Sequence, residues 1–369
     1  MLNNHSHFSL LEYYLNHSEK LNWVLATIVS KEGSSYRSPG AIMLVNNLGQ
    51  SHGLVSGGCL EANIVLHAKK VFDNEQAHFV EYDMLEEDGY AAELGVGCKG
   101  KIGVLLQYIT TAHHDLLALL FKCMQAGKTS YLQQTFLTPN SAQKALNELT
   151  LFNDVGQLLL TTTQQRNSTL NDALVQMVEH DKVHCNVVRD GAEHSVTKVS
   201  APINFWIFGG GSDAIALVTM AAQMGWRVTV VDHRSSYARS SNFKHAAEIV
   251  RIHPDDFSLS PQFQQIDAAV LMTHNLNLDA AWLRLLHKSN VAKYIGLLGP
   301  LERRGNVEAL SNIEDKAWLM RQVNGPVGLD IGGELPESIA LSILAQCHSI
   351  LHNRNGLALS GKFINSELT

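Results

Sequence analysis

The sequence has few cysteines and no closely spaced cysteine pair. Its five cysteines lie far apart among 369 residues, and an odd, scattered set is not typical of a disulfide framework in a chain this long. No Cys-x-x-Cys or His-Glu-x-x-His segment is present, so nothing in the sequence indicates a preformed zinc site. We therefore expect the thiols to be reduced.

Positive charge and long apolar runs are also scarce. Lysine and arginine number 28 against 35 aspartate and glutamate residues, a net charge of −7, whereas general nucleic-acid binders need an excess of basic side chains. No run approaches the roughly 18 apolar residues that span a membrane, and residues 1–7 lack the basic and then apolar pattern of a signal peptide. The sequence thus predicts a cytoplasmic protein that binds neither nucleic acid nor membranes.

The composition that is present, 45% hydrophobic and 17% charged residues, is that of an ordinary globular protein. The length suggests more than one domain. Residues 1–200 alternate short strand-like runs with glycine-rich turns and helical stretches, which predicts a mixed α+β domain. Residues 201–369 alternate strands and helices, which predicts an α/β domain with a Rossmann-like parallel sheet and helices on both faces.

Two details of the first domain are predicted from turn-forming and polar residues. Strands around 131–136 and 157–162 are expected to pair, since the turn-prone segment 153–156 precedes the second. The stretch 189–201 is polar enough to be the domain boundary, and Pro202 precedes a new strand.

The most informative local feature is a glycine- and serine-rich loop. Apolar runs at 23–29 and 41–45 flank Gly33-Ser34-Ser35-Tyr36-Arg37-Ser38-Pro39-Gly40, so this segment is predicted to be a tight loop between two strands. Such a loop exposes backbone amides, here beside the guanidinium group of Arg37.

A second motif, Ser56-Gly57-Gly58-Cys59-Leu60-Glu61, places a cysteine behind two glycines. Apolar residues at helical spacing from Ile64 to Val71 predict a helix that begins next to Cys59. A helix N-terminus stabilises negative charge, so we expect this thiol to ionise more readily than a free cysteine and to attack electrophiles or bind a soft metal. The alternative is that the glycines form a turn and Cys59 is a small buried side chain.

The second domain begins with a dinucleotide-binding signature. An apolar strand at 204–208 leads into Gly209-Gly210-Gly211-Ser212-Asp213-Ala214, and a helix at 215–224, a strand at 227–231 and Asp232 follow. In a Rossmann fold this turn lets the backbone approach a pyrophosphate through Gly209, Gly211 and Ala214, and Asp232 binds a ribose hydroxyl. Asp213 either caps the helix or repels a phosphate. The alternative is an α/β domain that keeps the turn and binds no dinucleotide.

Further strands at 268–273 and 293–297 extend the predicted sheet, and ligands of parallel sheets lie at the carboxyl ends of the strands. His274 lies at one such end. It either donates a proton or contacts a ligand, or it is a histidine packed at a strand end without such a role. Arg303 and Arg304, after another, either pair with phosphate or are solvated. Near the end of the chain, residues 325–333 predict an irregular loop, and Pro336 suits the first turn of a helix.

Together these motifs resemble the xanthine dehydrogenase accessory factor family, XdhC/CoxI, over nearly the whole chain. The loop from Gly33 to Gly40 and the motif from Ser56 to Glu61 match two signatures of that family, and the segment around Cys98 resembles a second cysteine–glycine element. Similar segments in the C-terminal half are the glycine turn at 209–214, Val230-Val231-Asp232, Thr273-His274, Tyr294-Ile295-Gly296 and Pro326 to Gly332.

The resemblance implies a factor that binds and protects molybdenum cofactor and delivers it to a molybdenum hydroxylase of the xanthine or aldehyde dehydrogenase type, often with a cysteine desulfurase. It favours an accessory protein over a turnover enzyme, and a homodimer is expected on general grounds. The cofactor is an anionic phosphate ester with a soft, dithiolene-bound metal, which a thiolate, an arginine and backbone amides suit. We expect Cys59 to contact the molybdenum or its sulfur. The other residues expected at this site are Ser34, Ser35 and Arg37, which hold the phosphate, and Gly57, Gly58, Glu61 and Cys98.

The ligand of the second domain is left open. One hypothesis is that its glycine turn, Asp232 and His274 hold the nucleotide of a dinucleotide form of the cofactor. A function of another class is an NAD(P)-dependent oxidoreductase with Cys59 as nucleophile or proton relay. A third is a docking protein whose glycine-rich loops are only turns. Cofactor handling accounts for both halves of the chain better than either alternative.

Overall fold

The computed structural model describes residues 5–84, 100–137, 147–163, 174–175, 177, 180, 182–189, 191–258 and 263–360. The chain divides into two compact units, Asn4–Ala201 and Pro202–Thr369. Among the described residues no helix is long and apolar enough to cross a membrane.

The first unit contains two five-stranded antiparallel sheets. The first has the order β3-β2-β1-β5-β4 and the second the order β8-β7-β6-β10-β9. The strands of the first sheet are β1 Trp23–Gly33, β2 Ile42–Asn46, β3 Ser51–Gly53, β4 His78–Asp83 and β5 Gly100–Tyr108. Those of the second are β6 Ser130–Phe136, β7 Glu148–Asn153, β8 Leu158–Thr161, β9 His184–Arg189 and β10 Ala192–Val199. Its helices include α1 His7–His17, α2 Glu61–Asn74 and α3 Thr111–Gln125.

Residues 23–29 of strand β1 are buried on both faces, which explains why this part of the strand is apolar without alternation. Trp23 and Leu25 pack with α1, α3 and the second sheet. Val24, Ala26 and Ile28 pack on the opposite face with α2. The first sheet therefore fixes the position of both the loop after β1 and the start of α2.

Strand β1 also contains a β-bulge at Val29. Ile28 pairs with Val104 and Ser30 pairs with Gly103, so Val29 is an extra residue relative to β5. Bulges redirect the backbone groups of a strand and occur often beside functional sites.

Two predictions for this unit are wrong. The strands at 131–136 and 157–162 do not pair, because β7 lies between them and pairs with both. The units divide at the end of the stretch 189–201, between Ala201 and Pro202, but the stretch itself is not a linker, because most of it forms β10, which pairs with β6 and β9. Polar side chains of β10 such as His194 and Ser195 are buried and hydrogen-bonded to other strands, so its polarity did not indicate exposure.

The second unit is built on a six-stranded sheet in which every pairing is parallel, in the order β13-β12-β11-β14-β15-β16. Its strands are β11 Asn204–Phe208, β12 Arg227–Val231, β13 Glu248–Val250, β14 Ala268–Leu271, β15 Tyr294–Leu297 and β16 Val323–Asn324. Its α-helices are α4 Ala214–Gln223, α5 Leu276–Ser289, α6 Leu301–Ser311, α7 Lys316–Gln322 and α8 Pro336–Leu351.

The helices cover both faces of this sheet, which confirms the predicted fold class. Residues of α4 and α8 form the core on one face, and residues of α5, α6 and α7 form the core on the other. The strand order reverses between β11 and β14, so the carboxyl ends of these two strands flank the crevice where ligands of such folds bind.

Candidate functional site

The glycine- and serine-rich segment forms the predicted loop between β1 and β2. Gly40 closes it with a φ of 90°, donates its N–H to Ile28 O at 2.8 Å, and would overlap Thr197 if it carried a Cβ. The Ser35 hydroxyl donates to Arg37 O at 2.6 Å. Ser35 and Arg37 are half-buried, and Ser34 is exposed. The loop is therefore anchored at its end and internally braced around Arg37.

The second motif is held by the hydroxyl of Ser56, which is only 5% exposed. This hydroxyl donates to Glu61 Oε2 at 2.5 Å and accepts from the backbone N–H groups of Gly58 at 3.2 Å and Leu60 at 3.1 Å. Helix α2 has no side-chain cap from Leu60, so Ser56 supplies acceptors that a capping residue normally provides.

Glu61 acts inside this turn. Its Oε1 accepts from the N–H groups of Val55 at 3.1 Å and Ser56 at 2.8 Å. Burial acts to raise the pKa of Glu61, but the hydrogen bonds from Ser56 and Val55 outweigh it and hold the pKa below its ordinary value. The carboxylate predicted to contact a cofactor thus also shapes the turn that carries the cysteine.

Cys59 lies two residues before the first residue of α2, as predicted. Its Sγ lies 3.5 Å from Ser56 Oγ, and its half-buried side chain packs against the core below α2. The thiol is therefore positioned by the Ser56 hydroxyl and only partly covered, which is compatible with both a reactive and a packing role.

The two N-terminal motifs lie next to each other. A Cβ on Gly57 would lie 3.8 Å from Cδ2 of Tyr36, so the glycine turn approaches the aromatic ring of the first loop. Gly33, just before that loop, pairs with Gly100 of β5. Cys98 lies outside the described residues.

In the second unit, the glycine turn after β11 has the geometry that its sequence predicts. Gly209 has a φ of 120°, and a Cβ there would overlap the carbonyl oxygen of Met272. Gly211 has no room for a Cβ beside the carboxylate of Asp213. Ala214 is the first residue of α4 and is fully buried. The turn therefore brings the backbone against the end of β14.

Asp232 is fully engaged by groups of its own chain. Its Oδ2 accepts from the N–H of Gly210 at 2.8 Å, and both its oxygens accept from the guanidinium of Arg234 at 2.7 and 2.9 Å. Burial acts to raise the pKa of Asp232, but the bonds from Arg234 and Gly210 hold it below its ordinary value. Arg234 also lies 3.7 Å from the ring centroid of Tyr237. A ribose hydroxyl at Asp232 would have to share a carboxylate that already binds the glycine turn.

At the crevice between β11 and β14, Asp213 and His274 form a pair. His274 Nε2 lies 2.9 Å from Asp213 Oδ2, and His274 has a φ of 60°. The Asp213 side chain makes no hydrogen bond to the N-terminus of α4, so it does not cap this helix. Its partner is His274.

The guanidinium of Arg303 binds the buried carboxylate of Asp279 at 2.5 Å, so this arginine is already paired within the protein. Asp279 also accepts from the Thr273 hydroxyl at 2.7 Å. Sequence reasoning assigned no role to Asp279, although an acid in the first turn of α5 is a typical helix-start signal. Ser56 and Arg234 were missed as well, and their nearness in sequence to Glu61 and Asp232 was the available signal.

Metal binding by protein side chains alone is not supported by the described part of the chain. No group of three or more His, Cys, Asp or Glu side chains there is close enough to hold a metal ion. A metal at Cys59 would therefore need ligands other than the described side chains.

Comparison with known proteins gives matches to both halves. The family model described as the XdhC and CoxI family matches residues 17–83, and the XdhC Rossmann domain model matches residues 205–347. The chain is 31% identical, over 91% of its length and 94% of the relative's, to a protein of Bacillus subtilis named as a probable subunit of xanthine dehydrogenase. It is 24% identical, over 91% of its length and 86% of the relative's, to the molybdenum cofactor insertion chaperone PaoD of Escherichia coli.

A solved structure resembles the whole chain. The crystal structure of a xanthine dehydrogenase from Bacillus halodurans has a TM-score of 0.75 and 29% identity, and the match covers 97% of this chain and 98% of that one.

Proposed function

The chain belongs to the XdhC and CoxI family, and from this premise we propose that it binds molybdenum cofactor and matures a molybdenum hydroxylase. The Escherichia coli relative is a molybdenum cofactor insertion chaperone, and the Bacillus subtilis relative is named as a probable part of xanthine dehydrogenase. Cofactor delivery accounts for both names, because an insertion factor and the enzyme that receives the cofactor both bind the cofactor.

The residues of the N-terminal site fit the cofactor chemically. A half-buried thiol suits a soft metal, and a braced loop with an arginine suits a phosphate ester. The observation that supports this function most directly is that the two loops carrying these groups lie side by side, because the Cβ position of Gly57 is 3.8 Å from Cδ2 of Tyr36. Cys59 would hold the molybdenum end, and Arg37 with the amides of Ser34 and Ser35 would hold the phosphate.

We also propose which proteins take part in the transfer of the cofactor. The recipient is a cofactor-free hydroxylase of the xanthine or aldehyde dehydrogenase type, and a cysteine desulfurase supplies the terminal sulfur. The protein acts as a homodimer and does not itself turn over a substrate. The nucleotide of a dinucleotide cofactor occupies the crevice between β11 and β14.

Equilibrium binding of the cofactor, followed by transfer to a cofactor-free dehydrogenase, tests this function. Cys59→Ala should weaken binding at least tenfold, about 1.4 kcal/mol, and reduce transfer in proportion. Cys123→Ala, at a half-buried thiol in α3, is the matched control and should bind as the wild type does. Equal binding by Cys59→Ala and wild type would exclude the thiol as a ligand.

Titration with the cofactor in its nucleotide-free and dinucleotide forms tests the crevice. Tighter binding of the dinucleotide form is expected. If neither form binds and NAD(P) binds instead, the oxidoreductase alternative replaces this proposal.

A further inference from the structure

A polar cleft lies beside the loop from Ser34 to Gly40, and the N-terminal site described above does not use it. It has a volume of about 340 Å³, and its walls come from the end of β1, from β4 and β5 of the first sheet and from β9 of the second. Pro39 of the loop lines it, so the cleft borders the loop that is proposed to hold the phosphate. Its volume is at the lower end of the range for small-molecule sites and suits one small ring system.

The cleft is built by specific contacts. At the β1 bulge the carbonyl of Val29 accepts from Asn186 Nδ2 at 2.8 Å, which ties β9 to β1 across the cleft floor. His184 Nε2 lies 2.9 Å from Ser195 Oγ, and burial lowers the pKa of His184 to about 4, so the imidazole is neutral at physiological pH. Gly103 leaves room for the Ser30 hydroxyl, which a Cβ there would overlap. The bulge, these hydrogen bonds and this glycine fix the positions of the groups around the cleft.

Among the charged groups of the cleft, some have an ion-pair partner among the described residues and others do not. Lys101 Nζ lies 3.3 Å from Glu81 and 3.0 Å from Asp83, so it is neutralised within the protein. Lys31 and Glu32, adjacent on β1, have no ion-pair partner among the described residues. Both are exposed in the free protein, but successive side chains of a strand point to opposite faces. Glu32 is opposite Lys101 in the sheet register, on the same face as the cleft residues Ser30 and Gly103, whereas Lys31 is opposite Ile102 and lies on the other face. The cleft thus offers the carboxylate of Glu32 to a ligand.

We propose that this cleft binds the pterin ring of the molybdenum cofactor, with Glu32 as its recognition group. This inference rests on the proposed function and names the part of the ligand that a second subsite takes. One edge of a pterin carries an amino group and a ring N–H, and a carboxylate accepts from both. The oxygen of the Asn186 amide, whose nitrogen is already committed, adds a further acceptor.

Binding of free pterin and of lumazine tests the assignment. Lumazine has an oxygen where pterin has the amino group. Because a site built to accept from an N–H group rejects an analogue that lacks it, the wild type should prefer pterin by about tenfold or more. Glu32→Gln should lose this preference, whereas Lys31→Met, at the neighbouring side chain on the opposite face of β1, should keep it. Ligand fluorescence measures each affinity.

Glu19→Gln, at an exposed glutamate of the same unit, is the matched control and should keep the preference. Equal binding of pterin and lumazine by the wild type, or a preference that survives in Glu32→Gln, overturns the assignment. The same variants titrated with the complete cofactor separate the two proposals. If the wild type binds cofactor and Glu32→Gln leaves its affinity unchanged, the cleft assignment fails and the proposed function stands. If the pterin preference depends on Glu32 but the complete cofactor does not bind, the proposed function fails and the cleft remains a pterin site.

Discussion

At the scale of single residues, acidic side chains in the predicted sites have internal partners. Glu61 accepts three hydrogen bonds from the turn at Val55 and Ser56, and Asp232 binds both Gly210 and Arg234. From sequence, an acid beside a glycine motif is interpreted as a ligand contact. The motif does not reveal which backbone N–H groups of the folded chain donate to that acid. Val55 and Ser56 lie close in sequence to Glu61, and Arg234 lies close to Asp232, so these partners were predictable. Gly210 lies 22 residues from Asp232, and its hydrogen bond depends on the fold.

The carboxylate of Glu61 makes stability depend on pH. Its pKa in the folded protein lies below its ordinary value of 4.5, so its contribution is complete above that pH and is lost as the pH falls through the lower, folded pKa. Glu61→Gln should therefore be less stable than the wild type at pH 7, by about 2 kcal/mol. The difference should shrink on acidification from pH 5 toward pH 3.

Urea unfolding across this pH range measures the difference. Glu19→Gln, which removes an exposed carboxylate from the same unit, should show little change at any pH. A gap between wild type and Glu61→Gln that stays constant from pH 7 to pH 3 would show that the ionised carboxylate does not stabilise the turn.

At the scale of secondary-structure elements, sequence pattern located the strands of the second unit well. Predicted strands at 204–208 and 227–231 are confirmed, and the helix beginning at Pro336 is confirmed. These strands are buried on both faces, and glycines at 209–211 and 225 lie between them, so the apolar composition and the turn residues indicate the same strand limits. The predicted helix next to Cys59 is also confirmed, as α2, because its apolar residues recur at helical spacing.

The second sheet of the first unit was harder to predict. Its β10 strand carries buried polar side chains that bond across strands, as Thr135 and Gln133 do with His194. Burial of polar residues depends on partners that are distant in sequence. A polar stretch that looked like a boundary is therefore a central strand.

The turn after β11 depends on glycine for two separate reasons, and Gly209→Ala tests them. The substitution adds a side chain at a φ of 120° and forces a Cβ onto the carbonyl oxygen of Met272. Gly332→Ala is the matched control, because Gly332 also has a positive φ, 77°, but no atom within 4 Å of its Cβ position. The control should cost about 1 kcal/mol, and Gly209→Ala should cost about 3 kcal/mol or more.

Chemical unfolding of the two variants gives the comparison, and circular dichroism shows whether Gly209→Ala folds at all. Equal losses for the two variants would mean that the strand end at Met272 moves aside at little cost, so the approach of the turn to β14 would not be a constraint.

At the scale of the whole molecule, the chain forms two units with separate hydrophobic cores. The cores of the first unit use residues up to Val199, and those of the second use residues from Ile203 onward. The Rossmann signature predicted the parallel sheet and the helices on its faces. It also places the crevice, because the observed strand order follows from the right-handed connections of such folds. No comparable signature existed for the two antiparallel sheets.

Separate cores predict that the two units fold independently. Fragments ending at Ala201 and beginning at Pro202 should each unfold cooperatively in urea, and each should give a dispersed NMR spectrum. A cut between Val155 and Gly156, inside the hairpin of β7 and β8, divides one core and should give fragments without cooperative unfolding. Failure of either fragment of the first pair to fold would show that the units depend on one another.

The bulge at Val29 also determines which insertions and deletions the end of β1 tolerates during evolution. Successive side chains of a strand point to opposite faces, so loss of one residue there exchanges the faces of all residues that follow it in the strand. Lys31 and Glu32 would trade orientations, and the backbone carbonyl that now meets Asn186 would pair within the sheet. Homologues that retain the cleft should therefore differ in length at this point by zero or two residues, whereas a change of one residue should accompany its loss.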